Sequence, residues 1–261
     1  MKNYTIRLFA LMLTFGVFIT SCDIDLTAPE IDSETTEDNA LSERAVSDIF
    51  GMVNTGISTD KSGVSCGDYD FNFMTNTLTI TFPAEGCEGA DGVTRSGEIH
   101  AQFAGTWQMA SSSVEITFVN YKRDGKTISG TINVQYASGG DQPAFLMTAT
   151  NMSLTFTDGK STTWESSNTY TWIEGVTTLF DHSDDVYSVT GTTTGTARNG
   201  NEFSRVATDL VSSPTCKWFT SGNIILTITN DDKTSVYNMT FKEPCGTVTI
   251  LHKGISVTRT F

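Results

Sequence analysis

From Cys66 to the last residue the chain alternates apolar and polar residues with a period of two, and that pattern constrains its fold more than any other feature. Leu78, Ile80 and Phe82 alternate with Thr77, Thr79 and Thr81. Ile128, Gly130, Ile132, Val134 and Tyr136 repeat the pattern, as do Ile224, Leu226 and Ile228. Residues two apart on an extended strand point to one face, so each run describes a strand with one buried and one wetted side. Arg123-Asp124-Gly125, Asp158-Gly159, Arg198-Asn199-Gly200 and Asn230-Asp231-Asp232 fall between the runs. Asp-Gly and Asn-Gly supply the positive φ of tight hairpin turns, so neighbouring strands are expected to pair antiparallel.

These signals predict an all-β domain over residues 66–261, an antiparallel meander of about eleven strands. Twist accumulates across so many strands and exposed edges invite aggregation, so a sheet curled into a roll or barrel-like shape is expected, with a two-sheet sandwich as the alternative. In AFLMTATNMSLTF the apolar parity slips between Phe145, Met147, Ala149 and Met152, Leu154, Phe156. One extra residue near Asn151 restores a common face, which predicts a β-bulge there.

The N-terminal segment is of another kind. Lys2 and Arg7, an apolar run from Leu8 to Ile19, and Ile19-Thr20-Ser21-Cys22 resemble a lipoprotein signal peptide over residues 1–21 with a lipobox at its end. About a dozen apolar residues are too few to cross a ~30 Å hydrocarbon core as a helix. Cys22 is then the acylated first residue of the mature chain, carrying palmitate-type chains that anchor it to a membrane; each buried CH₂ contributes about 0.8 kcal/mol. Residues 22–40 carry seven Asp or Glu and no Lys or Arg, which predicts an acidic, disordered tether. Over 41–57, Leu41, Ala45, Ile49 and Val53 recur every fourth residue, predicting a short amphipathic helix with Asp38 or Asn39 as N-cap and Gly56 as stop. Its expected role is to cover an opening or edge of the sheet.

The formal charge is −14 and becomes −16 once residues 1–21 are removed. That balance argues against a nucleic-acid partner, whose phosphates call for Lys and Arg. Four further cysteines, Cys66, Cys87, Cys216 and Cys245, suit an oxidising, exported location. Four thiols allow three pairings, and the local bridges Cys66–Cys87 and Cys216–Cys245 are expected. Zinc is the competing reading, but no Cys-x-x-Cys pair exists and the three histidines are scattered.

Around these residues lie the stretches TTEDNALSERAVSDIF, CEGADGVTRSGEIHAQFAG, ITFVNYKRDGKTISGTINV, TTWESSNTYTW, DDVYSVTGTTTGTARNG and CKWFTSGNIILTI. In this order, behind a lipobox and an acidic stretch, they resemble an uncharacterised family of β-rich lipoproteins from Bacteroidota-type Gram-negative bacteria. The resemblance implies an outer-membrane lipoprotein, with the acids after Cys22 looking like a signal for export to the cell surface and the periplasmic face as the alternative. It carries no reaction with it.

Catalytic patterns are sparse. No Gly-x-Ser-x-Gly elbow or phosphate-binding Gly-x-x-x-x-Gly-Lys-Ser/Thr run occurs, so no catalysis and no cofactor are expected. His182 is the one histidine set among acids; an Asp–His pair there is the basis of an alternative reading as an envelope enzyme. Asp181, Asp184 and Asp185 are a weak calcium candidate, since Ca²⁺ takes several carboxylate and carbonyl oxygens at once. Trp164, Tyr170 and Trp172 share one strand parity, so they form either a glycan-binding platform or part of the core. The function expected is a lipid-anchored envelope protein with a structural or interaction role, its partners the membrane, through Cys22, and an envelope protein or polysaccharide.

Overall fold

The computed structural model describes residues 32–57, 66–89, 91–137, 142–178, 184–213, 215–216, 218–231 and 233–260. One helix, α1 (Ser33–Gly56), precedes thirteen strands. They are β1 (Asp68–Asn72), β2 (Thr77–Glu88), β3 (Thr94–Ala104), β4 (Ser113–Arg123), β5 (Lys126–Ala137), β6 (Ala144–Thr155) and β7 (Ser161–Glu174). After them come β8 (Val186–Thr196), β9 (Glu202–Ser212), β10 (Phe219–Asn230), β11 (Lys233–Lys242), β12 (Thr247–His252) and β13 (Ile255–Thr260).

All thirteen form a single antiparallel sheet in strict sequence order, so the two-sheet sandwich is not the architecture. The count exceeds the expected eleven by two; β1, β12 and β13, toward one edge or the other, are the shortest strands at five or six residues. The hairpin signals at 123–125, 158–159, 198–200 and 230–232 all fall at or between strand ends. β1 and β13 pair on one side only, so the sheet does not close on itself.

The bulge expected near Asn151 is present: register shifts between Ala149 and Met152 against β7, and Asn151 has φ +52°. Across from it on β5, Gly130 has φ +121°, and a Cβ there would lie 2.7 Å from Met152 Sδ and 2.8 Å from the Asn151 carbonyl oxygen. The same device occurs where Asn120 (φ +49°) of β4 faces Gly97 (φ +84°) of β3. Each bulge adds a residue to one strand only, which bends the ladder toward one face.

The concave face carries the alternation read from the sequence: Leu78, Ile80, Ile116, Ile132, Met147, Leu226 and their neighbours are buried. What fills the concavity is α1. The helix hydrogen-bonds to residues of β3, β4, β7 and β9, to the turn between β8 and β9, and to Tyr237 of β11. A helix about 10 Å across can reach strands that far apart only if the sheet, with strands about 4.8 Å apart, curls around it.

This corrects two expectations. The helix begins at Ser33, so residues 33–40 belong to it and not to the tether. Its N-cap is Asp32, whose Oδ1 accepts the Thr35 amide at 2.9 Å, whereas Asp38 is fully buried within the second turn. As one of the two expected roles had it, the helix fills an opening of the sheet and not an edge: besides Ala45, Ile49 and Val53 it buries Val46, Phe50 and Met52, and Asp38, Asn39, Glu43 and Asn54 as well. Burying Asp38, Glu43 and Asn54 is tolerable because the strands and their connections supply partners. Of six arginines beyond residue 21, four lie on strands or turns facing the helix acids. Arg198 meets Glu34, Glu37 and Asp38; Arg205 meets Glu43; Arg95 and Arg123 meet Asp48.

Both expected cysteine pairs stand at disulfide distance, Cys66 to Cys87 and Cys216 to Cys245, each with Cα atoms 5.8 Å apart. Among the described residues no helix is long and apolar enough to cross a membrane. Cys22 lies outside the described residues.

Candidate functional site

A cleft of about 320 Å³ runs along one side of α1. Arg44, Asp48, Gly51 and Thr55 recur at helical spacing along its floor. Tyr69, Phe82, Asp91 and Arg95 form one wall, and Asp185, Tyr187, Ser212 and Ser213 stand across from them.

At one end lies a charge cluster. Arg95 Nη2 donates to Asp48 Oδ1 at 2.7 Å and Oδ2 at 2.8 Å, and to Asp91 Oδ2 at 2.6 Å. Arg123 Nε donates to Asp48 Oδ2 at 3.2 Å, and its Nη1 lies 3.6 Å from the Asp124 carboxylate at the rim. Burial by itself would raise the Asp91 carboxyl; the hydrogen bonds and charge of Arg95 outweigh it and hold Asp91 below the ordinary carboxylate range. For Arg95 burial opposes the charge, but Asp91 and Asp48 overcome it and hold the guanidinium charged. Burial pushes the Tyr69 hydroxyl up to about 12, so it stays protonated at neutral pH. Arg44 departs from this pattern: burial lowers its pKa, and it makes no hydrogen bond or ion pair among the described residues.

At the other end the groups are neutral or acidic. Trp107 Nε1 donates to Asn54 Oδ1 at 2.8 Å, Asn54 Nδ2 donates to the Tyr187 hydroxyl at 3.3 Å, and that hydroxyl donates to Asp185 Oδ2 at 3.1 Å. Burial, with the Asp185 carboxylate beside it, drives the Tyr187 hydroxyl well above its ordinary value.

The sequence candidates fare differently. Trp164, Tyr170 and Trp172 are 3%, 1% and 1% exposed, so the row is core and offers no surface for a sugar ring. Tyr170 shares a hydrogen bond of 2.9 Å with Ser47 of the helix, and Trp172 stacks on Tyr187. Shared parity marks a common face without telling which face is inside. Of the calcium candidates, Asp184 accepts the Thr178 hydroxyl at 2.9–3.0 Å and Asp185 turns instead to Tyr187. Asp181 and His182 lie outside the described residues. Among the described residues no group of three His, Cys, Asp or Glu side chains stands together as metal ligands would.

The Arg–Asp cluster was not found from the sequence because Arg44, Asp48, Asp91, Arg95 and Arg123 come together only through the curl of the sheet. One signal was available. Arg205 sits on the inward parity of β9 between Phe203 and Ala207, and a charge on a core-facing position announces a buried partner.

Comparisons with protein-family models, with curated proteins and with solved structures each found no match to this chain.

Proposed function

We propose that this chain is a lipid-anchored protein of the outer membrane whose β-domain works by binding or by a structural role in the envelope, and not by turnover. The observation that carries the reading is the polarity of the domain. The helix N-terminus, at Asp32, is fastened to the turn between β8 and β9 through Asn199 and Asn201. Nine residues lie between it and Cys22, a span of at most about 35 Å when extended. At the opposite end, where Asn54 meets Trp107, the β1–β2 turn exposes Phe73 (87%) and Met74 (96%), with Met109 nearby in the β3–β4 loop. A domain tethered at one end and apolar at the tip of the other is arranged to touch something away from its own membrane.

The lipobox supports anchoring through Cys22, and the acids that follow support display at the cell surface. The helix-filled interior, with Arg95, Arg123, Arg198 and Arg205 each paired to a carboxylate, supports recognition over chemistry. Cross-linking in intact cells tests the reading: the native chain recovers an envelope protein or polysaccharide, and Phe73→Ser/Met74→Ser loses it while incorporating labelled fatty acid as before. A hydrolase or transferase activity abolished by His182→Ala or Asp185→Asn would overturn it.

A further inference from the structure

Arg44 and Arg95 line the charged end of the cleft, Arg123 reaches Asp48 from outside the lining, and Arg95 and Arg123 use up the carboxylates. Both oxygens of Asp48 are taken by Arg95, and Oδ2 by Arg123 as well; Asp91 is taken by Arg95. Asp48 stands one helical turn beyond Arg44, where an i,i+4 partner would be sought, yet the strands have claimed it. Arg44 is left with a buried Nε that makes no hydrogen bond among the described residues, while its side chain lines the cleft. A guanidinium keeps its proton under any ordinary condition, so this is a charge removed from much of its water without the partner that such burial normally requires. Asp48 and Asp91 act on its charge only from beyond ion-pair distance, whereas the helix-facing Arg95, Arg123, Arg198 and Arg205 each hold a carboxylate directly.

We propose that the cleft is a binding site for a small molecule bearing a carboxylate, which Arg44 receives through its guanidinium. The proposal rests on the binding role argued above and names its ligand class. The planar fork of a guanidinium matches a carboxylate with two parallel hydrogen bonds. Asp48, Asp91, Arg95 and Arg123 all act on the charge of Arg44, and with those two acids and two guanidinium groups offsetting one another, Arg44 is left with a single positive charge for a single carboxylate to answer. Beyond the charge, Phe82, Met52 and the ring of Tyr69 offer apolar surface, while the Ser47 and Thr55 hydroxyls are bonded to Tyr170 and to the Gly51 carbonyl. The volume of about 320 Å³ is that of a site for a compact ligand. Tyr69, protonated at neutral pH, adds no competing negative charge.

The test uses the full chain purified in detergent and titrated separately with acetate, benzoate and inorganic phosphate. It is read by thermal midpoint and by the NMR signal of the Arg44 Nε–H. Benzoate is expected to bind saturably, to raise the midpoint and to shift that signal; Arg44→Gln weakens binding at least tenfold, and Arg44→Lys recovers part of it. Gly51→Leu serves as a second variant that leaves Arg44 in place. A Cβ at Gly51 meets nothing within 4 Å, so the position has room for a side chain, and a leucine on this part of the cleft floor is expected to weaken binding too. No saturable response to either carboxylate, binding unchanged in both variants, or a response to phosphate alone overturns the proposal. If Arg44→Gln fails to fold by circular dichroism, Gly51→Leu decides. Cross-linking through the Phe73 tip is read separately, so loss of carboxylate binding with cross-linking intact removes this inference and leaves the broader role standing.

Discussion

Removing one partner of the Glu43–Arg205 pair is expected to unfold this protein more readily than removing both. Arg205 Nη2 lies 2.7 Å from Glu43 Oε2 and donates to Thr193 Oγ1 at 2.8 Å and Asn168 Oδ1 at 3.3 Å; the two charged side chains are 0% and 4% exposed. Glu43→Leu leaves a guanidinium in the core with only neutral acceptors, and Arg205→Met leaves a lone buried carboxylate. Each single substitution is expected to cost about 3–5 kcal/mol. With both changed no buried charge remains, and the residual loss comes from Asn168, which gives up Arg205 and the 3.3 Å contact with Glu43, and from Thr193, about 1–3 kcal/mol in all. The double variant should therefore be more stable than either single one. Urea unfolding at pH 7 with the disulfides intact measures all three free energies, and in thermal unfolding a chain of this size should show midpoint losses of roughly 6–20 °C for the single changes. A double variant whose loss equals the sum of the singles, or a Glu43→Leu loss below about 1 kcal/mol, would refute the argument that this pair is desolvated and coupled.

Other consequences follow from the same contacts. Asp32→Ala removes the cap that accepts the Thr35 amide and the ties to Asn199 and Asn201, and should lower stability by about 1 kcal/mol or more in chemical denaturation. Gly130→Ala, forced into φ +121° against Met152 and Asn151, should cost at least about 2 kcal/mol, whereas Gly159→Ala meets nothing within 4 Å and should cost less despite its own positive φ. Under reductant the midpoint should fall, each loop closure contributing on the order of 3 kcal/mol, and peptide mapping should find Cys66 joined to Cys87 and Cys216 to Cys245; a cross-pairing would contradict the 5.8 Å Cα separations. The pH response divides by sign. Burial would raise Asp32 and Asp91, but hydrogen bonds to Thr35 and Arg95 hold both below 3.8, so their contribution is present at neutral pH and disappears as pH falls through those lowered values. Burial raises Asp38, so its contribution runs the other way, and wild type should gain on Asp38→Asn as pH falls through the raised value; a pH-independent difference between the two would contradict it.

What the sequence disclosed was local. The turns at Asp124-Gly125 and Asn199-Gly200, the bulge at Asn151 and the two cysteine pairings are set by residues near one another in the chain, so period and spacing reveal them. The start of the helix was hidden because Glu34, Glu37 and Asp38 look like solvated tether acids until Arg198 is placed beside them, more than 150 residues later. The same separation concealed the cleft. Parity put Trp164, Tyr170 and Trp172 together but could not say that α1 would lie against them, since nothing local makes that choice.

The arrangement of α1 also sets a schedule. Every strand pairs only with the strand made just before or after it, so the sheet can grow hairpin by hairpin as the chain emerges. The helix is made ahead of all of them, yet its contacts fall due one at a time: Arg95 and Arg123 early, Thr162 midway, Arg198 and Arg205 late, Tyr237 near the end. A chain released or stalled before β9 holds Glu43 without its counter-charge, and one stopped before β11 lacks the hydroxyl that receives the Asp32 amide. The oldest segment of the molecule is thus the last to be fully housed, and it remains a substrate for chaperones and proteases until nearly the whole polypeptide has been delivered.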